Sequence, residues 1–149
     1  DALDKKGGTS IEYVRQFMKG KFPGAPKFAV LISDVKDIAK AHVACIGNNK
    51  VGGRRLIVGK EVKKLVELSQ LMAEAMPEYA KKLPKKELPN FMVKLISYLD
   101  SSAKTMIPDL GIMMQTDTTY AEELLGFKFK PAKDCMAENA KSVVRLGLV

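Results

Sequence analysis

The sequence is poor in the residues that build most metal sites and disulfides. Its 149 residues include one histidine and two cysteines, Cys45 and Cys135, which are far apart and belong to no C-x-x-C pair. A zinc site based on histidines is therefore excluded, and no metal ligands are predicted. Two reduced, buried thiols are the simplest interpretation. They fit the cytoplasm or another reducing compartment.

Long apolar runs are also missing. No stretch approaches the roughly 18 apolar residues that indicate a membrane span. Residues 1–10 contain no apolar core of a signal peptide and no initiator methionine. We therefore expect a processed or truncated chain with no membrane span.

The charge is unbalanced toward the basic side. Twenty-five lysines and arginines against 17 acidic residues give a net charge of +8. Such a balance fits nucleic acid, an anionic membrane surface or a cofactor that carries phosphate. The lysines are spread along the chain, and the densest run, Lys81–Lys86, has no interleaved aromatic residues for base stacking. Nucleic-acid binding is therefore disfavoured.

Two motifs of nucleotide-dependent enzymes are absent from the sequence. No G-x-G-x-x-G loop is present to let the backbone approach a pyrophosphate. A Tyr-x-x-x-Lys pair is missing as well. In such a pair, the lysine lowers the pKa of the tyrosine hydroxyl so that it can transfer a proton near neutral pH. The residues four positions after the four tyrosines are Phe17, Leu83, Ser102 and Leu124. No catalytic residue is therefore predicted.

The remaining titratable residues favour structural roles. His42 falls on the same predicted helix face as Ile38 and Cys45, which is typical of a hydrogen-bonded core histidine. Asp34 and Asp37 fall on the first turn of that helix, where carboxylates cap the helix and favour its dipole. Glu122 and Glu123 are predicted to face solvent.

The apolar pattern predicts one α/β domain over residues 1–149, mostly helical with a few short strands. Residues 1–9 are expected to be irregular, and residues 83–89 are expected to form a linker. Ser10 is the predicted cap of the first helix. The other predicted elements are strands at Phe28–Ile32, Arg55–Val58 and Ile112–Gln115, and helices beginning near Asp34, Lys60, Asn90, Asp117 and Ala132.

A series of motifs adds to this pattern. The segment Ile32–His42, ISDVKDIAKAH, resembles the strand-to-helix signature apolar-x-Asp-Val-Arg-Asp-Val-Ala-x-Ala-His of the extended short-chain dehydrogenase/reductase family. Lys36 stands for the usual arginine and Ile38 for valine. Further segments resemble the tail of that family in the same order, at Gly53–Gly59, Leu88–Phe91, Ile107–Gly111, Leu124–Pro131 and Leu146–Leu148.

The resemblance implies the C-terminal, substrate-side portion of a Rossmann-type reductase without its nucleotide-binding half. Within that family, the motifs resemble those of the dihydroflavonol, cinnamoyl-CoA and aldehyde reductase group, whose members transfer hydride from NADPH to a carbonyl. Their Gly-rich loop and Tyr-x-x-x-Lys pair precede the matching region. The chain alone is then expected to be inactive, and to need its N-terminal half or another protein chain. A non-catalytic accessory or structural subunit derived from such a reductase is the alternative.

The same resemblance implies three site residues. Thr9-Ser10 matches a pair near the cofactor phosphates, so Ser10 is the predicted cofactor-binding residue, with a plain helix cap as its alternative. Tyr13 and Leu31 match positions that line the pocket for a small carbonyl substrate. The alternative for both is a purely structural role in the core. Leu31 is apolar where flavonoid reductases place a polar group, which argues against a flavonoid substrate.

Overall fold

The computed structural model describes residues 8–98, 103–104 and 106–149. Most of the predicted irregular segment 1–9 lies outside this part of the chain, although Thr9 already belongs to the first helix. The helices are α1 Thr9–Met18, α2 Val35–Cys45, α3 Leu65–Ala75, α4 Asn90–Ile96, α5 Thr119–Leu125 and α6 Ala132–Arg145. The strands are β1 Ala29–Ile32 and β2 Glu61–Lys64, and 3₁₀ helices lie at Pro77–Tyr79 and Ile107–Asp109.

The two strands form an antiparallel pair, in which Ala29 lies opposite Lys64 and Ile32 opposite Glu61. The predicted strand at Arg55–Val58 is wrong, because those residues have no regular structure. The second strand instead uses the first residues of the helix that was predicted from Lys60. The backbone groups of the half-buried β1 require hydrogen-bonding partners, and pairing with Glu61–Lys64 provides them. This requirement outweighs the helical preference of Glu61–Lys64.

A glycine brings β2 into register with β1. A Cβ atom on Gly59 would lie 2.7 Å from the Cγ of Leu31 and 2.7 Å from the Oγ of Ser33. The chain can therefore pass this point only without a side chain. Ser33 Oγ also donates to the carbonyl oxygen of Val58 at 2.6 Å. The predicted strand at Ile112–Gln115 is wrong too, since these residues are irregular and exposed.

The main core lies where α1 and α3 pack against α6. Its members recur at three- and four-residue intervals along each helix, as the sequence pattern predicted. Met18, Met72 and Val143 are among the fully buried side chains. Each such side chain stabilises the fold by roughly 1.5–3 kcal/mol relative to an exposed position. Other members are Val14, Phe17, Leu65, Leu68, Cys135, Met136 and Ala140.

The helix caps agree with prediction in part. Asp34 caps α2, and its carboxylate accepts a hydrogen bond from the backbone N–H of Lys36 at 2.7 Å. The prediction that Ser10 caps α1 is wrong, since Ser10 lies inside that helix and the preceding Gly8 has no side chain to bond with. The helix predicted to begin near Asn90 does so, with Asn90 as the first residue of α4 and Pro89 as its cap.

Helix α2 presents a different face to the protein from the one predicted. Its buried residues are Asp37 and Ala41, and Ala41 packs in a small cluster with residues of α5. His42 is exposed, with its Nδ1 2.8 Å from the carbonyl oxygen of Ile38. The prediction of a core histidine is therefore wrong. The helix is turned because the Asp37 carboxylate accepts a hydrogen bond from the backbone N–H of Lys130, which draws that side inward.

Glu122 also differs from prediction, because it is buried and not solvent-facing. Its carboxylate accepts hydrogen bonds from Lys60 Nζ at 2.8 Å, Lys128 Nζ at 2.9 Å and the backbone N–H of Phe129 at 2.9 Å. The lysines Lys60 and Lys128, helped by the Phe129 N–H, outweigh desolvation and lower the pKa of Glu122 from 4.5 to about 2. Glu122 thus joins α5 to the chain entering β2.

Replacing Glu122 with glutamine is expected to remove an acid-sensitive part of the stability. The Glu122 carboxylate is protonated below about pH 4.5 in the unfolded chain but only near pH 2 in the folded protein. Its contribution to the free energy of unfolding is therefore complete above pH 4.5 and is lost as the pH falls toward 2. Glu122→Gln should therefore unfold more easily at pH 7 and lose less stability between pH 5 and pH 2. Urea titrations across this range measure both effects.

The matched control is Glu123→Gln, because Glu123 is the exposed neighbour of Glu122 in α5. This variant should follow the wild-type curve at every pH. Identical curves for Glu122→Gln and Glu123→Gln would contradict the structural role given to Glu122.

Candidate functional site

A cavity of about 260 Å³ lies between α1, β1, α3 and α6. It brings together the three residues that the sequence singled out. Ser10 and Tyr13 enter the wall from α1, one turn apart on the same face, and Leu31 enters it from β1. Ser10 is exposed, while Tyr13 and Leu31 are half-buried. Their shared position agrees with the resemblance, while their individual roles stay predictions.

Most of the cavity wall is apolar. Aromatic and sulfur-containing side chains of the core, among them Phe17, Met72 and Met136, form its inner surface. This composition is typical of pockets for small organic molecules, in which a few polar groups fix the orientation. The volume lies just under the roughly 300–1,000 Å³ of pockets for drug-sized ligands, so the cavity suits a smaller compound.

Asn139 supplies a polar group that the sequence did not assign to the site. It lies in α6 and lines the cavity, and its side-chain Oδ1 is buried without a hydrogen-bond partner among the described residues. A buried carbonyl left unpaired costs roughly 1–3 kcal/mol. An asparagine on the apolar face of the last predicted helix was the one signal in the sequence that could have drawn attention to it.

An ion-pair network holds the wall beside this cavity. Lys130 Nζ lies 3.0 Å from Asp34 Oδ2 and 2.9 Å from both carboxylate oxygens of Glu138. Burial raises the pKa of Asp34, but the hydrogen bonds from Lys130 and from the Lys36 N–H outweigh it, and the pKa falls below its ordinary value. The bond to Glu138, followed by that to Asp34, raises the pKa of Lys130. The network ties the start of α2 to α6.

Cys135 lines the cavity but is not a nucleophile at neutral pH. Burial, and then the nearby charge of Asp34, raises the pKa of its thiol to about 11. A protonated, buried thiol is inert. The cavity lining also contains no histidine or lysine among the described residues. The mainly apolar lining with a few polar groups can bind and orient a small molecule.

Within the described ranges, no group of three or more histidine, cysteine or acidic side chains could hold a metal ion. In the same part of the chain, no helix has both the length and the apolar character needed to cross a bilayer.

Comparisons with known proteins identify the fold. No protein-family model matches the sequence, and no curated protein sequence matches it. Among solved structures, gox2253 matches 99% of this chain with a TM-score of 0.74 at 17% identity. Yeast methylglyoxal/isovaleraldehyde reductase Gre2, complexed with NADPH, matches 97% with a TM-score of 0.67 at 22% identity. Gre2 from Candida albicans matches 97% with a TM-score of 0.64 at 20% identity.

The chain spans less than half of each of these structures, namely 47% of gox2253, 43% of yeast Gre2 and 39% of the Candida protein. It has the fold of the C-terminal part of Rossmann-type reductases. The fold class expected from the sequence is therefore confirmed, as is the resemblance to reductases at the level of the fold.

The Lys130 network yields a prediction about stability. Lys130→Met would leave the Asp34 carboxylate, only 2% exposed, without its cationic partner. We expect a loss of about 3 kcal/mol in the free energy of unfolding, because one charge of a buried pair is then uncompensated. Urea unfolding at pH 7 measures it.

Lys128→Met is the matched control, since the Lys128 side chain is 74% exposed and its partner Glu122 keeps Lys60. Its cost should stay within about 1 kcal/mol. Equal losses in the free energy of unfolding for Lys130→Met and Lys128→Met would show that the buried Asp34–Lys130 pair stabilises the fold no more than an exposed ion pair does.

Proposed function

We propose that this chain is the substrate-binding part of an NADPH-dependent carbonyl reductase. The observation that supports this most directly is the cavity in which Ser10, Tyr13 and Leu31 meet, on a fold shared with the C-terminal part of reductases. The substrate is a small carbonyl compound held against the apolar wall. The parent protein is an oxidoreductase that reduces this carbonyl to an alcohol.

The nucleotide site lies mostly outside this chain, in a separate N-terminal half or another protein. Ser10 fits a place beside the cofactor, because its exposed side chain lies on the first turn of the ten-residue helix α1. A hydroxyl group there, together with the positive end of the helix dipole, suits a phosphate oxygen. Bound NADPH would supply the hydride, and this chain would supply the substrate pocket.

The chain by itself is not expected to reduce a carbonyl, because its sequence contains neither the Gly-rich loop nor the Tyr-x-x-x-Lys pair. The two free cysteines, one of them buried, fit a reducing compartment such as the cytoplasm.

Binding of a substrate-like ketone tests the proposal. We choose 4-methyl-2-pentanone, which keeps the branched chain of isovaleraldehyde but reacts less readily with lysines. Ligand-observed saturation-transfer NMR should detect its binding to the wild-type chain. Ser10→Trp should weaken binding at least several-fold, because the indole would fill the edge of the cavity that Ser10 lines.

Thr9→Trp is the matched control, because Thr9 is the exposed neighbour of Ser10 in α1 and does not line the cavity. It should bind the ketone as the wild type does. No saturation transfer to the wild-type chain, or equal transfer to Ser10→Trp and Thr9→Trp, would contradict the proposal.

The alternative is a non-catalytic accessory subunit derived from a reductase. Exposed apolar side chains favour it, because Val43 and Ile46 at the end of α2 are 69% and 80% exposed and would be covered by a partner. Light scattering after size-exclusion chromatography separates the two functions. Self-association of the isolated chain would favour the accessory role, whereas a stable monomer that binds the ketone would count against it.

A further inference from the structure

Two buried side-chain oxygens lack a hydrogen-bond partner among the described residues, Thr116 Oγ1 and Asn139 Oδ1. Only Asn139 lines the cavity in which the site residues meet. Buried polar groups in native proteins are nearly always hydrogen-bonded, so an exception at a binding site requires an explanation. A ligand that donates to this oxygen is such an explanation.

The surroundings of Asn139 leave few other partners for it. It lies one turn after Cys135 on the same face of α6, with the apolar side chain of Met136 nearby. Ser10 and Tyr13 line the same cavity, yet neither donates to Asn139 Oδ1. Its backbone carbonyl accepts a hydrogen bond from Ser142 Oγ at 2.8 Å, and the regular helix α6 fixes the direction in which the side chain leaves the backbone.

We infer that Asn139 determines substrate specificity, because its Oδ1 accepts a hydrogen bond from a hydroxyl group of the substrate. This inference rests on the proposed function and names the class of substrate more closely, as small carbonyl compounds that also carry a hydroxyl group. The hydroxyl would lie beside the buried Oδ1 of Asn139 in the wall formed by α6, whereas the nucleotide would approach the exposed Ser10 in α1.

The physical basis is the asymmetry of buried hydrogen bonds. A substrate hydroxyl satisfies the Asn139 oxygen, whereas a methyl group in the same place leaves it unpaired and buried. Sites that hydrogen-bond a substrate hydroxyl therefore discriminate strongly against the analogue that lacks it. A water molecule on Asn139 in the empty cavity would not remove this preference, because a hydroxyl replaces its hydrogen bond and a methyl group does not.

Two probes of nearly equal shape test the inference on the wild-type chain, 4-hydroxyacetophenone and 4-methylacetophenone. Titrations are followed through ¹³C-labelled methionine methyl groups. Met72 and Met136 line the cavity and should shift, while the exposed Met113 and Met114 should not. The hydroxylated ketone should bind about tenfold more tightly than the methylated one. Equal or reversed affinities would overturn the inference while leaving a carbonyl-binding cavity in place.

Two variants assign the preference to one atom. Asn139→Leu keeps the size of the side chain but removes the acceptor, so the two probes should bind with similar affinity. Asn139→Asp keeps an acceptor oxygen and should retain the preference for the hydroxylated ketone. A tenfold preference that survives in Asn139→Leu would overturn the inference. If neither probe shifts Met72 or Met136 in the wild-type chain, the proposed function fails and the inference fails with it.

Discussion

Lys130 holds together the parts of the molecule on which the cavity depends. Its Nζ bridges Asp34 and Glu138, and its backbone N–H donates to Asp37 at 2.6 Å. Asp34 caps α2 and Asp37 lies in its first turn, whereas Glu138 belongs to α6, so one residue joins elements about one hundred positions apart in sequence. Because the two aspartates are buried, they require these partners, and the requirement fixes where α2 begins and which side it turns inward.

The cavity follows from this arrangement. Asp34 lies in its wall, two residues after β1, and α6 contributes Cys135, Met136 and Asn139 to the same lining. Its surface is mainly apolar with a small number of polar groups, which suits recognition of a small organic molecule more than chemical activation of it. Burial raises the pKa of the Cys135 thiol in this wall, and His42 is exposed and does not line the cavity. The fold that carries the cavity is shared with the C-terminal part of longer Rossmann-type reductases.

Local sequence patterns correctly predicted the elements whose secondary structure depends least on contacts with distant parts of the chain. The apolar spacing in α6 and in most of α3, the continuous apolar run of β1 and the Asp34 cap were all visible in the sequence. The errors have a common cause. Residues Glu61–Lys64 form a strand because β1 requires pairing, Glu122 is buried because Lys60 and Lys128 neutralise it, and His42 is exposed because α2 is turned by distant contacts.

The sequence by itself determined the class of fold, the order of most elements and the absence of a Gly-rich loop and a Tyr-x-x-x-Lys pair. These features depend on the local preference of residues for helix or strand and on motif spacing, and both can be read directly from the sequence. Only the tertiary structure decided that Ser10, Tyr13 and Leu31 share one cavity with Asn139, and that Asn139 Oδ1 is buried there without a partner. The physical reason is that burial and hydrogen-bond satisfaction depend on residues far apart in sequence, whose meeting no local pattern encodes.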